Sequence, residues 1–246
     1  MAIAHVLSPA TGLAHWPRGA TVNVEMFWRW LHITSAILWI GLLYFFNLIS
    51  TPFVRDLEPG MRLRLVPRLM WRALNWFRWA SLVTVLSGLA YLGEIVAADA
   101  HNGNASAGGY WGSWFGIWIA AWIVFYALLR TGKPALVWVG TAIVIALASW
   151  GFLLLNANAW ESNRALSIGI GGGMGFFLLL NVWGIVWRVN KKILRWMEAA
   201  ATGEAMPAQA ATLANQSALT ARISFYLTFV IIFFMAAASH FPLFGS

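Results

Sequence analysis

The sequence predicts an all-α protein, a polytopic bundle of about six transmembrane helices with both termini on the outer side. Three observations predict it. Of 246 residues, 61% are hydrophobic and only 10% are charged, against about 25% charged in a soluble domain. Six stretches approach the ~20 apolar residues a spanning helix needs. Thirteen of the sixteen basic residues fall on alternate loops between those stretches, as the positive-inside rule requires.

Residues 1–24, with Pro9, Gly12, Pro17 and Gly19, read as an extracytoplasmic leader segment before a single transmembrane domain over 25–246. The first span, Met26–Thr51, is too long and too charged at its start for a cleaved signal peptide. An inner loop over 53–78 follows with Arg55, Arg62, Arg64, Arg68, Arg72 and Arg78. Within it Leu63, Val66, Met70, Leu74 and Phe77 recur at three- and four-residue spacing, which predicts an amphipathic segment on the inner membrane surface. Spans follow at Trp79–Val96 and Trp111–Leu129, then a short turn with Arg130 and Lys133, then Pro134–Asn156 and Ala165–Trp187. A second inner loop, 188–222, carries Arg188, Lys191, Lys192, Arg195 and Arg222. Its Ala-, Thr- and Gln-rich part, 199–221, reads as an exposed connector, and Ile223–Phe241 is the last span. This topology puts both termini outside, and the expected location is a bacterial inner membrane with the termini in the periplasm if the source is Gram-negative.

The net charge of +8 is thus a topology and lipid-headgroup signal, and nucleic acid is not expected as a partner. The absence of cysteine excludes disulfides, thiolate metal sites and covalently attached c-type haem in this sequence. There is no P-loop, G-x-S-x-G or H-E-x-x-H pattern, and the spans lack paired carboxylates of the kind ion-coupled transporters use. Trp28, Trp30, Trp111, Trp114 and Trp160 read as an outer aromatic belt. His5, His15 and His101 read as solvated loop histidines.

Polar side chains inside hydrocarbon are costly and therefore informative. The spans contain two histidines, His32 and His240. His32 lies about 10 Å below Glu25, and His240 at most about 9 Å from the outer end of the last span. Neutral imidazole is a good axial ligand for haem iron, so two histidines at one level on different helices can clamp a b-type haem without a covalent link. Gly171, Gly172 and Gly173 lie about 9–12 Å deep in the fifth span, where absent side chains let backbone approach a flat macrocycle. Arg29, at i−3 from His32, is placed to pair with a haem propionate. Each feature alone has a plainer reading: an interhelical hydrogen bond for a histidine, close helix packing for the glycines, snorkelling for the arginine. Agreement in depth from three helices favours haem b. Asn47, Asn181 and Thr228 read instead as interhelical hydrogen-bonding groups.

Arg29-Trp-Leu-His-Ile-Thr-Ser-Ala-Ile-Leu-Trp-Ile-Gly41 with Tyr44-Phe-Phe-Asn47, Asn181-Val-Trp, and Arg222-Ile-Ser-Phe-Tyr-Leu-Thr-Phe with Ala-Ser-His-Phe-Pro242 resemble the urate oxidase N-terminal domain family. These are the membrane parts of membrane-bound, cytochrome c-linked urate hydroxylases. The resemblance implies a membrane oxidoreductase that passes electrons to cytochrome c, with His32 and His240 at the family's two histidine motifs. Longer members carry a C-terminal cytochrome c domain; here the c-type haem is expected on a separate extracytoplasmic protein or redox subunit. The sequence leaves a second function class open, a haem-free structural or assembly subunit of a larger membrane complex.

Overall fold

A computed structural model describes residues 19–244. Most of the expected leader, including His5 and His15, lies outside them. The described residues form helices α1 (Ala20–Tyr44), α2 (Thr51–Asp56), α3 (Pro59–Asn102), α4 (Gly108–Arg130), α5 (Pro134–Asn156), α6 (Asn163–Asn181), α7 (Trp187–Ala200) and α8 (Ala210–His240). One π-helical turn, Phe45–Ser50, joins α1 to α2, and another, Val182–Val186, joins α6 to α7. Counted through those turns, six helices are long and apolar enough to cross a membrane. The chain is therefore a multi-pass membrane protein of all-α class, as the composition predicts.

Helix boundaries differ from expectation in three places, each for a local reason. α1 begins at Ala20, taking in the end of the expected leader. The arginine-rich stretch after Glu58 is no separate surface segment: it runs unbroken into the next span as the 44-residue α3. Its apolar stripe closes onto the core instead, with Leu74 and Phe77 buried and Leu63, Val66 and Met70 packed against them. Pro67 sits inside this helix, where it removes one backbone hydrogen bond without ending the helix. The expected connector over 199–221 is half helix. Alanine-rich sequence favours helix, and α8 starts at Ala210 with Ser217 and Thr220 buried.

α6 is the axis of the bundle. In its apolar window 83% of residues are buried, against 22% in that of α1. Its start is well fixed. Ser162 caps it by accepting from the Ala165 amide at 3.1 Å, and the Ser162 amide donates to Asp99 Oδ2 of α3 at 2.9 Å. Glycine makes the axis thin. A methyl group added to Gly171 would lie 2.9 Å from Phe234 Cβ of α8, and one on Gly173 would collide with the Trp118 indole of α4. α4 binds α6 further through Tyr110 Oη, which donates to Ala165 O at 2.8 Å, and Trp114 Nε1, which donates to Gly169 O at 2.8 Å.

The span asparagines and Thr228 cross-link helices, as their chemistry predicts. Trp122 Nε1 donates to Asn181 Oδ1 at 3.1 Å, and Asn181 Nδ2 donates to Ser224 Oγ at 3.3 Å. Asn47 Nδ2 donates to Leu43 O at 2.9 Å and to Ala221 O at 3.4 Å, and Thr228 Oγ1 lies 3.1 Å from Tyr44 Oη. Asn47 lies within one π turn and Asn181 immediately precedes the other. Such turns need side chains that satisfy displaced backbone or neighbouring groups.

A candidate ligand cavity between α1, α3, α6 and α8

α1 packs along α3, and α8 packs along α6, but α1 and α8 touch only sparsely. Between the two pairs lies a cavity of about 530 Å³, inside the range of small-molecule and cofactor sites. It runs from Arg29 to Leu43 along α1, roughly 21 Å at the helical rise. Its rim residues Ile37 of α1 and Ile232 of α8 are exposed, so it opens sideways between those two helices. The wall is mostly aliphatic; its polar members are Arg29, His32, Thr84, Tyr91, Thr228 and Ser239.

His32 is held in this wall by α3. Its Nδ1 lies 2.7 Å from the Thr84 carbonyl oxygen. A carbonyl only accepts, so in the neutral ring Nδ1 carries the proton and Nε2 keeps its lone pair. A backbone carbonyl on the second ring nitrogen is the usual support of a metal-bound histidine. Gly88, one turn after Thr84, makes the seat possible. A methyl there would lie 2.7 Å from His32 Nδ1 and 2.8 Å from Cε1, too close for the ring to stay. Arg29 and His32 line the same cavity, as their three-residue spacing on one helix face requires. Arg29 itself is exposed.

The glycine run divides by direction. Gly171 faces α8 and Gly173 faces α4; only Gly172 of the three lines the cavity, together with Gly175. A methyl on Gly172 would meet only Ile168 and Met235, at 3.8 and 3.9 Å. His240 does not join the group. It is exposed, while its neighbour Ser239 lines the cavity. One residue on a helix is about 100° of rotation, which places the two side chains in different directions. The last turn is also held. Asn163 Nδ2 donates to Ala238 O and Phe241 O, and Asn163 Oδ1 accepts from the Leu243 and Phe244 amides at 2.8 and 2.9 Å.

Four contributors escape a reading by composition and spacing. Thr84 and Gly88 act through one another's helix turn on His32. Tyr91 lines the mouth beneath Arg164, which hydrogen-bonds its hydroxyl, stacks over its ring at 5.0 Å and forms an ion pair with Glu25 at 2.8 Å. Trp114, expected in an interfacial belt, is instead fully buried and lines the cavity from α4. The signal available was small: Ser87-Gly88 interrupts an apolar span, which marks close approach in a membrane helix.

A lone-pair imidazole nitrogen in an apolar, side-opening cavity with glycines in its wall and a cation at one end can ligate the metal of a flat, lipophilic cofactor. No curated protein and no solved structure is found to match the chain. A family model described as urate oxidase N-terminal does match, over residues 59–246. That range includes His240, Tyr91 and the α6 glycines and begins after Arg29 and His32. Since it covers well over half of the sequence, the chain belongs to the urate oxidase N-terminal family.

Proposed function

We propose that the protein is a membrane redox protein that holds a b-type haem in the α1–α3–α6–α8 cavity and exchanges electrons with a separate extracytoplasmic cytochrome c. The single observation that carries this reading is the state of His32. Its Nδ1 is committed to Thr84 O at 2.7 Å, and the ring lines a cavity of about 530 Å³.

The residues present fit the group. His32 Nε2 would ligate the iron, Gly172 and Gly175 leave room for a flat ring, and Arg29 would pair with a propionate at the mouth. The bound haem would supply one-electron chemistry. The chain's own part is to fix the imidazole through Thr84 and Gly88 and to surround the site with aliphatic wall. Tyr91, hydrogen-bonded by Arg164, which is itself paired with Glu25, adds a polar group to the cavity wall. The family name points to a urate-related membrane protein, and we propose cytochrome c-linked urate oxidation as the reaction this site serves. His240 would join His32 in holding the iron only if the last turn of α8 rotated and released Asn163.

An absorption spectrum of the purified chain, oxidised and dithionite-reduced, with a pyridine haemochrome assay, tests the reading. A b-type signal near one haem per chain is expected. His32→Ala should lower haem occupancy at least about tenfold, since even supporting residues of metal ligands cost 10–100-fold. A His32→Ala protein with the wild-type spectrum would sink the assignment. The second reading, a haem-free subunit of a larger membrane complex, draws on the exposed face of α1 and of the π turn after it, where Ile33 and Ile37, then Leu48 and Ile49, are all at least half exposed. A folded preparation supplied with haem that shows no Soret band would favour it.

A further inference from the structure

We propose a binding site for the phosphate headgroup of an anionic phospholipid at the opposite, basic end of the bundle, in the crevice between α3 and α7 and centred on Arg78. Arg78 stands where the arginine-rich part of α3 becomes apolar. Its guanidinium carbon lies 4.0 Å from the ring centre of Trp187, 5.2 Å from that of Trp79 and 5.7 Å from that of Trp183. Trp79 and Trp183 meet edge to face at 5.6 Å, and Trp71 closes the group against Trp187 at 6.1 Å. Lys191 Nζ lies 5.8 Å from the Trp187 ring, bringing a second cation to the same indole.

Stacking occupies the faces of a guanidinium and leaves its in-plane N–H groups free for an anion. Here Nη2 donates to Asn75 Oδ1 at 2.9 Å, and Nε is buried without an acceptor. No carboxylate answers the charge: among the described residues the one ion pair is Arg164–Glu25. The nearby Glu198 is engaged by Trp71 Nε1 at 2.8 Å. A half-buried cation held among indoles without a counter-ion is costly, and phosphate is the anion a bilayer supplies at this level. Trp76 and Trp79 are 63% and 46% exposed beside it, as rings at a headgroup boundary are. That framing favours a lipid phosphate over a free one.

Native mass spectrometry of the detergent-purified chain tests the site, with dioleoyl phosphatidylglycerol and dioleoyl phosphatidylcholine titrated separately. The wild-type chain should hold one phosphatidylglycerol in clear preference to phosphatidylcholine, and millimolar inorganic phosphate should not displace it. Arg78→Gln should weaken that first binding event about tenfold, the value of one charged hydrogen bond, while Arg188→Gln, at an exposed position, should not. If Arg78→Gln does not purify folded, Lys191→Gln takes its place, with an expected loss of about threefold. Equal binding of the two lipids would overturn the site, and so would displacement by inorganic phosphate. Equal losses at Arg188 and at the tested cage residue would reduce it to a diffuse basic belt and overturn it too.

Discussion

The two sides of α6 use the same residue in opposite ways. Toward α4 and α5 its glycines are filled notches: the Trp118 indole occupies the space a side chain at Gly173 would need, and Phe152 and Tyr110 occupy that at Gly169. Toward α1, Gly172 and Gly175 face open volume. Interiors are normally packed with few voids larger than a water molecule, and this chain has seventeen tryptophans with which to fill a gap. It fills one side and leaves about 530 Å³ on the other. The difference teaches that the glycine run is two features in one sequence. Gly169, Gly171 and Gly173 are filled by side chains of neighbouring helices, whereas Gly172 and Gly175 face the cavity.

The sharpest way to break that comparison is a pair of substitutions one residue apart. Gly172→Leu should abolish haem uptake while leaving the melting temperature of the ligand-free chain unchanged or slightly raised, because a side chain there meets open space and glycine is a poor helix former. Gly173→Ala should do the reverse. Overpacking against Trp118 should cost about 1–3 kcal/mol of stability, and the folded fraction should still bind haem. Thermal melts and pyridine haemochrome assays on both variants decide it; similar behaviour at the two positions would mean that α6 has no filled and open sides.

Gly88→Ala asks whether the open side is organised around His32 or is merely empty. The added methyl would fall 2.7 Å from Nδ1 and must push the ring off Thr84 O. Haem affinity should fall about tenfold, as losses of ligand support do, measured by titrating haem into the ligand-free protein. An unchanged affinity would detach the Thr84–His32 bond from function. Arg29→Gln should have a smaller effect, about threefold, because an exposed ion pair contributes little. High salt should shrink the difference between it and wild type.

How much of this was legible in the sequence depends on whether a property survives projection onto the helix axis. Span number, class and end-to-end charge asymmetry do, since hydropathy and basic residues are counted along the chain. Position along a helix does as well, and His32, Arg29 and Gly172 do line one cavity. Azimuth does not. Which way Gly171 and Gly173 face is set by Phe234 and Trp118, residues from other helices whose register no single sequence states. The same limit hid Thr84, Gly88 and Arg164, each of which acts across a helix pair. Helix ends depart from expectation where propensity outweighs polarity: within the expected connector, the alanine-rich 210–221 is helical because alanine favours helix and Ser217 and Thr220 find buried places.

His240 is where depth and azimuth part company, and it gives the mildest of the expected effects. It ends α8 and is exposed. Its neighbour Ser239 takes the cavity position, and Asn163 ties down the backbone on both sides of it. Under the proposal that His32 is the one protein ligand, His240→Ala should leave haem occupancy and the optical spectrum as in the wild type. A wild-type spectrum of the six-coordinate, low-spin kind that this substitution converts to high-spin would instead restore the histidine pair. Asn163→Ala separates the two cases further. It frees the last turn, so under the one-ligand arrangement it should change only local stability, by about 1 kcal/mol. If rotation can bring His240 to the iron, the same variant should raise the low-spin fraction, and the open side of α6 would then be a site that α8 can close.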